Sequence, residues 1–188
     1  MIFESMILSI LVGFVRRGVL ANLAKMPLRR PYLFVLPFAM YIGACALMRA
    51  AGGDTLLLYL RIVNILQYAL LLAAIALNIH IVEMRVIGAG TFANSLVLTA
   101  NGGVMPVSLR AADLAGAGEL FRSGRSLQLL RHVIMTPDSR LKPLADIIPV
   151  PGFGFRLPEV ASVGDVLIAI GIFVLVQRYM CSRLLREK

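Results

Sequence analysis

A chain of 188 residues with 59% hydrophobic and only 15% charged side chains, at a mean hydropathy of +0.85, lies far from the soluble average of roughly 45–50% apolar and about 25% charged. This composition excludes an ordinary soluble domain and reads as an all-α, polytopic membrane protein, with residues 1–188 forming a single integral membrane domain. The +9 formal charge does not point to nucleic acid, because the Lys and Arg residues gather at the ends of apolar runs, where topology and anionic lipid need them.

Residues 2–15 form an apolar run shorter than the roughly 20 residues that cross a bilayer core of about 30 Å, so a short or tilted first helix is expected. Glu4 precedes it and Arg16-Arg17 follow it, the reverse of the flanks of a cleavable signal, and the segment reads as retained. Residues 16–31 then carry Arg16, Arg17, Lys25, Arg29 and Arg30 among apolar residues and close on Pro31. By the positive-inside rule this basic connection is cytoplasmic, which puts the N-terminus outside.

A second span is expected over residues 32–50, with Pro37 and Gly43 inside it, and a third over 55–79. On the third, Arg61, Asn64 and Tyr68 recur at i, i+3 and i+7 and share one helical face, which is polar inside a membrane. A cation there either snorkels to the nearby outer end or turns inward to meet a carboxylate or an anionic headgroup. His80, Glu83 and Arg85 form a brief inner connection before a fourth span, 86–101, whose Thr91, Asn94, Ser95, Thr99 and Asn101 keep to a narrow stripe.

At Asn101-Gly102-Gly103 the apolar run stops. One Gly would satisfy the last helical carbonyls from the left-handed conformation; a second implies backbone held close to another helix or to a ligand. The long outer loop, residues 102–158, is expected to hold a helix around 108–116. An amphipathic helix is expected around 119–135, with Leu120, Leu127, Leu130 and Ile134 on one face, suited to the membrane interface. On that helix His132 reads as a solvated residue. The turn Thr136-Pro137-Asp138-Ser139 and a rigid run from Asp146 to Phe155 complete the loop, which is expected to fold back as a lid with Phe153 and Phe155 at the interface. The fifth span, 160–179, returns to a basic tail, which makes the C-terminus cytoplasmic.

Two motifs carry alternatives. Gly88-Ala-Gly-Thr-Phe-Ala93 matches a dinucleotide-binding fingerprint, but that fingerprint requires a βαβ unit, and its flanks here are long apolar helical runs. Small residues that let membrane helices approach are the better account. Ser162-Val-Gly-Asp165 reads as a capping box, and its carboxylate would also face the outer mouth of the fifth span. The two cysteines, Cys45 and Cys181, fall toward opposite membrane faces, and the two histidines are too few for a three-histidine metal site. Neither metal nor cofactor is expected, and no nucleophile and base share a catalytic spacing.

Ala100-Asn-Gly-Gly-Val-Met-Pro-Val107, Ala145-Asp-Ile-Ile-Pro-Val-Pro151, and Ser162-Val-Gly-Asp165 leading into Gly171 and Val176-Gln177-Arg178 occur in an order that resembles the bacterial integral membrane family called domain of unknown function 5317. The resemblance covers essentially the whole chain. It implies a small protein of the bacterial cytoplasmic membrane and assigns no activity.

The resulting expectation is a non-catalytic module that binds a lipid, an isoprenoid-type or other amphipathic ligand, or a partner membrane protein, at an outer-leaflet pocket formed by Arg61, Asn64, Asn94, Asn101, Asp146 and Asp165. The alternative is a transporter or lipid-modifying enzyme with Asp146 and Asp165 as paired carboxylates.

Overall fold

A computed structural model describes residues 1–51, 54–123, 131–152 and 157–182. The protein is mostly helical, and a helix stands at each predicted span: α1 (Ile2–Val15), α2 (Tyr32–Ala51), α3 (Asp54–Leu77), α4 (Val82–Ala100) and α7 (Val163–Met180). Among the described residues, Leu58–Leu77 and Val163–Met180 are long and apolar enough to cross a membrane, while Ile2–Val15 and Tyr32–Ala44 are apolar but shorter. α4 begins earlier than expected, so Glu83 lies in its first turn rather than in a connection. There it is buried and accepts Arg178 Nη1 at 3.0 and 3.2 Å.

The helices pack side by side in the order α1, α7, α4, α3, α2. Glycines set the closest of these contacts. A Cβ built on Gly90 of α4 would lie 2.4 Å from the carbonyl oxygen of Gly164 on α7, and one on Gly171 would lie 2.5 Å from Ile87 Cγ1. The Gly88–Ala93 motif is therefore helix–helix packing. On the other side of α7, Ser5 Oγ donates to the Ala169 carbonyl at 2.8 Å, and Gln177 bridges Ser9 and Arg16.

The cations of residues 16–31 collect at one end of the bundle. There a 3-10 turn, Leu20–Lys25, follows α1, and Val19 N–H donates to the Met180 carbonyl at 2.9 Å. Asn78, fully buried, accepts from Arg29 N–H at 2.7 Å and donates to the carbonyls of Arg29 and Ala74 at 2.9 and 2.8 Å. That clasp holds the basic connection to the end of α3.

The opposite end carries a cap. It contains α5 (Leu109–Ala115), α6 (Gly118–Arg122) and two short sheets, β1 (Met105–Val107) parallel to β2 (His132–Ile134), and β3 (Ile148–Val150) antiparallel to β4 (Glu159–Ala161). Ser108 caps α5 and Gly116 ends it in the left-handed conformation. The long amphipathic helix expected over 119–135 is not formed: α6 is five residues long and His132–Ile134 is a strand. In sequence, the leucine spacing with Arg122 and Arg125 on the opposite face points to the helix. What decides instead is that β1 supplies backbone partners, with Met105 N–H donating to the Arg131 carbonyl at 2.7 Å and Met135 N–H to that of Val107 at 2.8 Å. Leu127, Leu130, Phe153 and Phe155 lie outside the described residues. Cys181 is a free thiol.

Beside an apolar core that includes Leu60, Ala74, Val97, Leu98 and Met180, polar side chains are buried between the helices and large apolar ones lie on their outer faces. Ser9, Asn64, Gln67, Thr91, Asn94 and Gln177 are buried, whereas Phe3, Val35, Phe38 and Ile42 are 66, 65, 72 and 65% exposed.

Candidate functional site

α7 starts where it does because Ser162 and Asp165 cap each other. Asp165 N–H donates to Ser162 Oγ at 2.9 Å, and Ser162 N–H donates to Asp165 Oδ2 at 3.1 Å. Asn94 of α4 closes the ring, donating to Asp165 Oδ1 at 2.8 Å while its own oxygen accepts Ser162 Oγ at 2.8 Å. Gly164 makes room for this, since a Cβ there would sit 2.1 Å from Asn94 Oδ1. Both readings of the Ser162–Asp165 motif therefore meet in one carboxylate: Asp165 caps α7, and it also lines a cavity.

That cavity, of about 420 Å³, lies between the cap, the starts of α1 and α7, the last turns of α4 and Tyr68 in the middle of α3. Its polar lining includes Tyr68, Asn94, Arg131, His132, Asp146, Glu159 and Asp165; Ile2, Phe3, Leu98, Met105 and Phe121 contribute apolar wall. Asp146 is positioned through its backbone, which bonds to β1 on the side away from β2: its N–H donates to the Pro106 carbonyl at 3.1 Å and its carbonyl accepts Ser108 N–H at 2.8 Å. Its side chain is 4% exposed, with Oδ2 3.3 Å from His132 Nε2. Oδ1 is buried and has no hydrogen-bond partner among the described residues. An unpaired buried acceptor costs roughly 1–3 kcal/mol, so this oxygen calls for a donor.

Burial pushes the Asp146 carboxyl above its ordinary value of 3.8; His132 pulls it down, and Asp165 and Glu159 add smaller upward pushes. An acid with a higher folded than unfolded pKa holds its proton more tightly in the fold. Its contribution to stability is therefore full below the unfolded value and is lost as pH rises through the folded one. Thermal unfolding of the detergent-solubilised protein should show wild type losing stability relative to Asp146→Asn as pH rises through that window. Parallel curves for the two proteins would contradict the burial effect.

Three of the six residues expected at a pocket, Asn94, Asp146 and Asp165, line this cavity; Arg61, Asn64 and Asn101 are not among its lining residues. Asn101 instead clasps the cap: its amide donates to the carbonyls of Val97 and Arg140 at 2.8 and 3.0 Å, and its oxygen accepts Arg140 N–H at 2.9 Å. Asn64 donates to the Gly103 carbonyl at 3.0 Å. The Arg61 side chain is exposed, while its backbone packs against Gly103. The second glycine of Asn101-Gly102-Gly103 thus serves a helix contact and not a ligand.

Sequence reasoning missed Tyr68, Arg131, His132 and Glu159 as a group. Tyr68 stood on the polar face of α3, and that face was the available signal. Arg131 donates to Gln67 Oε1 at 3.2 Å and stacks over the Tyr41 ring at 4.7 Å. The Met1 ammonium contacts Glu4 and Glu159.

Residues 25–177 match the model of a family of unknown function, DUF5317. The chain belongs to that family. It is also similar to an uncharacterized protein of Thermotoga maritima, 28% identical over 170 residues, covering 90% of this chain and 84% of the relative. No solved structure matches.

Proposed function

We propose that this protein is a multi-pass protein of the bacterial cytoplasmic membrane and that it binds an amphipathic ligand in the cap-end cavity without converting it. In this reading all five long helices span, the N-terminus and the cap lie outside, and the C-terminus lies in the cytoplasm. Support for the spans comes from the apolar residues on the outer helix faces and the polar ones between helices, since polar stripes must avoid lipid. Support for the orientation comes from the five cations of the connection between α1 and α2, all at the end away from the cap. With the positions 45 and 181 cysteines replaced, a Ser139→Cys variant should label with a membrane-impermeant reagent in intact cells; labelling only after permeabilisation would reverse the orientation.

The observation that carries the binding reading is the buried Asp146 Oδ1, unpartnered and on the wall of a cavity that is polar on one side and apolar on the other. Asn94, Asp146 and Asp165, joined by Tyr68 and His132, form the ligand-facing set, while Asn64, Asn101 and Arg61 hold the cap to the bundle. The paired-carboxylate alternative is weaker, because each oxygen of Asp165 already accepts a hydrogen bond, one from Ser162 N–H and one from Asn94, which favours its charged, non-catalytic capping role. Native mass spectrometry of the protein released from its membrane should show a co-purified lipid-sized adduct, reduced in Asp146→Asn. A co-purified polypeptide with no lipid would replace the ligand by a partner protein.

A further inference from the structure

The chain carries 19 Lys and Arg residues against 10 Asp and Glu, yet the cavity wall reverses that balance: Asp146, Glu159 and Asp165 face it with Arg131 as the lining Lys or Arg side chain. Arg131 is committed to Gln67 and the Tyr41 ring, and Glu159 to the Met1 ammonium. Asp146 stands out among these groups: its side chain is 4% exposed, its Oδ2 lies 3.3 Å from His132 Nε2, and its Oδ1 has no donor among the described residues. Aromatic rings of Tyr68, Phe121 and Phe3 stand in the same wall. Carboxylate acceptors together with aromatic faces are the chemistry that holds an organic cation. A fatty-acid or phosphate head would instead meet carboxylates and desolvate them further.

We infer that the cavity selects an N–H-bearing ammonium head, with the nitrogen donating to Asp146 Oδ1 and lying against the Tyr68 and Phe121 rings. This rests on the amphipathic-ligand reading and narrows it. The apolar part of such a ligand has a path out, because Ile2 and Phe3 line the cavity and are themselves 39 and 66% exposed. The ammonium belongs either to an amine-headed lipid or to a free alkylamine.

The test is native mass spectrometry of the full chain in maltoside micelles at pH 7, titrated with dodecylammonium, with laurate of the same chain length, and with ethylammonium as the head alone. Dodecylammonium should bind at least ten-fold more tightly than laurate, and Asp146→Asn should remove that preference. Ethylammonium binding within ten-fold of dodecylammonium assigns the site to a free amine, and a larger gap assigns it to a lipid-borne one; either keeps the ammonium assignment. Equal binding of both heads, or tighter binding of laurate, overturns the inference while leaving an amphipathic-ligand site. Saturable binding of neither chain-bearing probe overturns both. Should Asp146→Asn fail to fold, the comparison of heads on the wild type decides alone.

Discussion

Gly90→Leu is expected to unfold the bundle or to leave α4 and α7 separated, with a stability loss above about 3 kcal/mol, the upper end of ordinary overpacking. Two effects of opposite sign compete at Gly90, and their sizes decide the outcome. A side chain in a helix interior gains up to about 1 kcal/mol over glycine in propensity. Against that, the first added carbon would lie 2.4 Å from the Gly164 carbonyl oxygen and 3.0 Å from Ile168 N. Both are backbone atoms of α7, so no rotamer change relieves the clash and the whole helix has to move. Moving it also breaks the Asn94–Asp165–Ser162 ring, which sits one turn further along the same crossing. Gly43→Ala is the control: its Cβ meets nothing within 4 Å, so only the propensity gain remains. Thermal inactivation midpoints in one detergent separate the two, and a Gly90→Leu midpoint at or above wild type would refute the packing account.

The parts of this fold that could be read along the chain are those fixed by neighbours in sequence. The start of α7 is one, because Ser162 and Asp165 satisfy each other across a single turn. The end of α4 is another, where Asn101 and two glycines stop the helix, and α5 is a third, with Ser108 and Gly116 as its caps. The cap's strands could not be read in this way. β1 and β2 are three residues each and far apart in the chain, so no periodicity develops in either, and the Leu spacing around them mimics a helix.

The same division runs through the candidate site. Asn94, Asp146 and Asp165 stand out in sequence because polar residues beside apolar runs are rare. Asn101 stands out for the same reason, yet it is spent on the Arg140 backbone. On a helix His132 would be solvated; as a β2 residue it stands 3.3 Å from Asp146. Which polar residue ends in the cavity and which in a clasp depends on contacts across the cap, and the local pattern does not carry them.

Gly103→Ala is expected to cost about 4 kcal/mol and to detach the cap from α3. Gly103 has φ of +87°, and a Cβ there would meet the Arg61 carbonyl oxygen at 2.5 Å and Arg61 C and Cα at 2.8 Å. The sum combines about 1–3 kcal/mol for a side chain in that backbone region with about 1–3 kcal/mol for forcing matter into a closed contact. Gly102 isolates the first part, since its φ is +69° and nothing lies within 4 Å of its Cβ. Gly102→Ala should therefore lose about 1–3 kcal/mol and keep the cap in place. The two variants differ further in what they disturb. Gly103 N–H donates to the Leu98 carbonyl at 2.8 Å and its own carbonyl accepts Asn64 Nδ2 at 3.0 Å. Pushing this residue off Arg61 therefore breaks the junction of α3, α4 and β1 together, and β1 is the strand from which both Asp146 and His132 are hung. Limited proteolysis of the folded protein should thus cut the cap of Gly103→Ala at least ten-fold faster than that of Gly102→Ala. Equal cutting rates would mean that the second glycine serves only the helix end and that the Arg61 contact does not hold the cap.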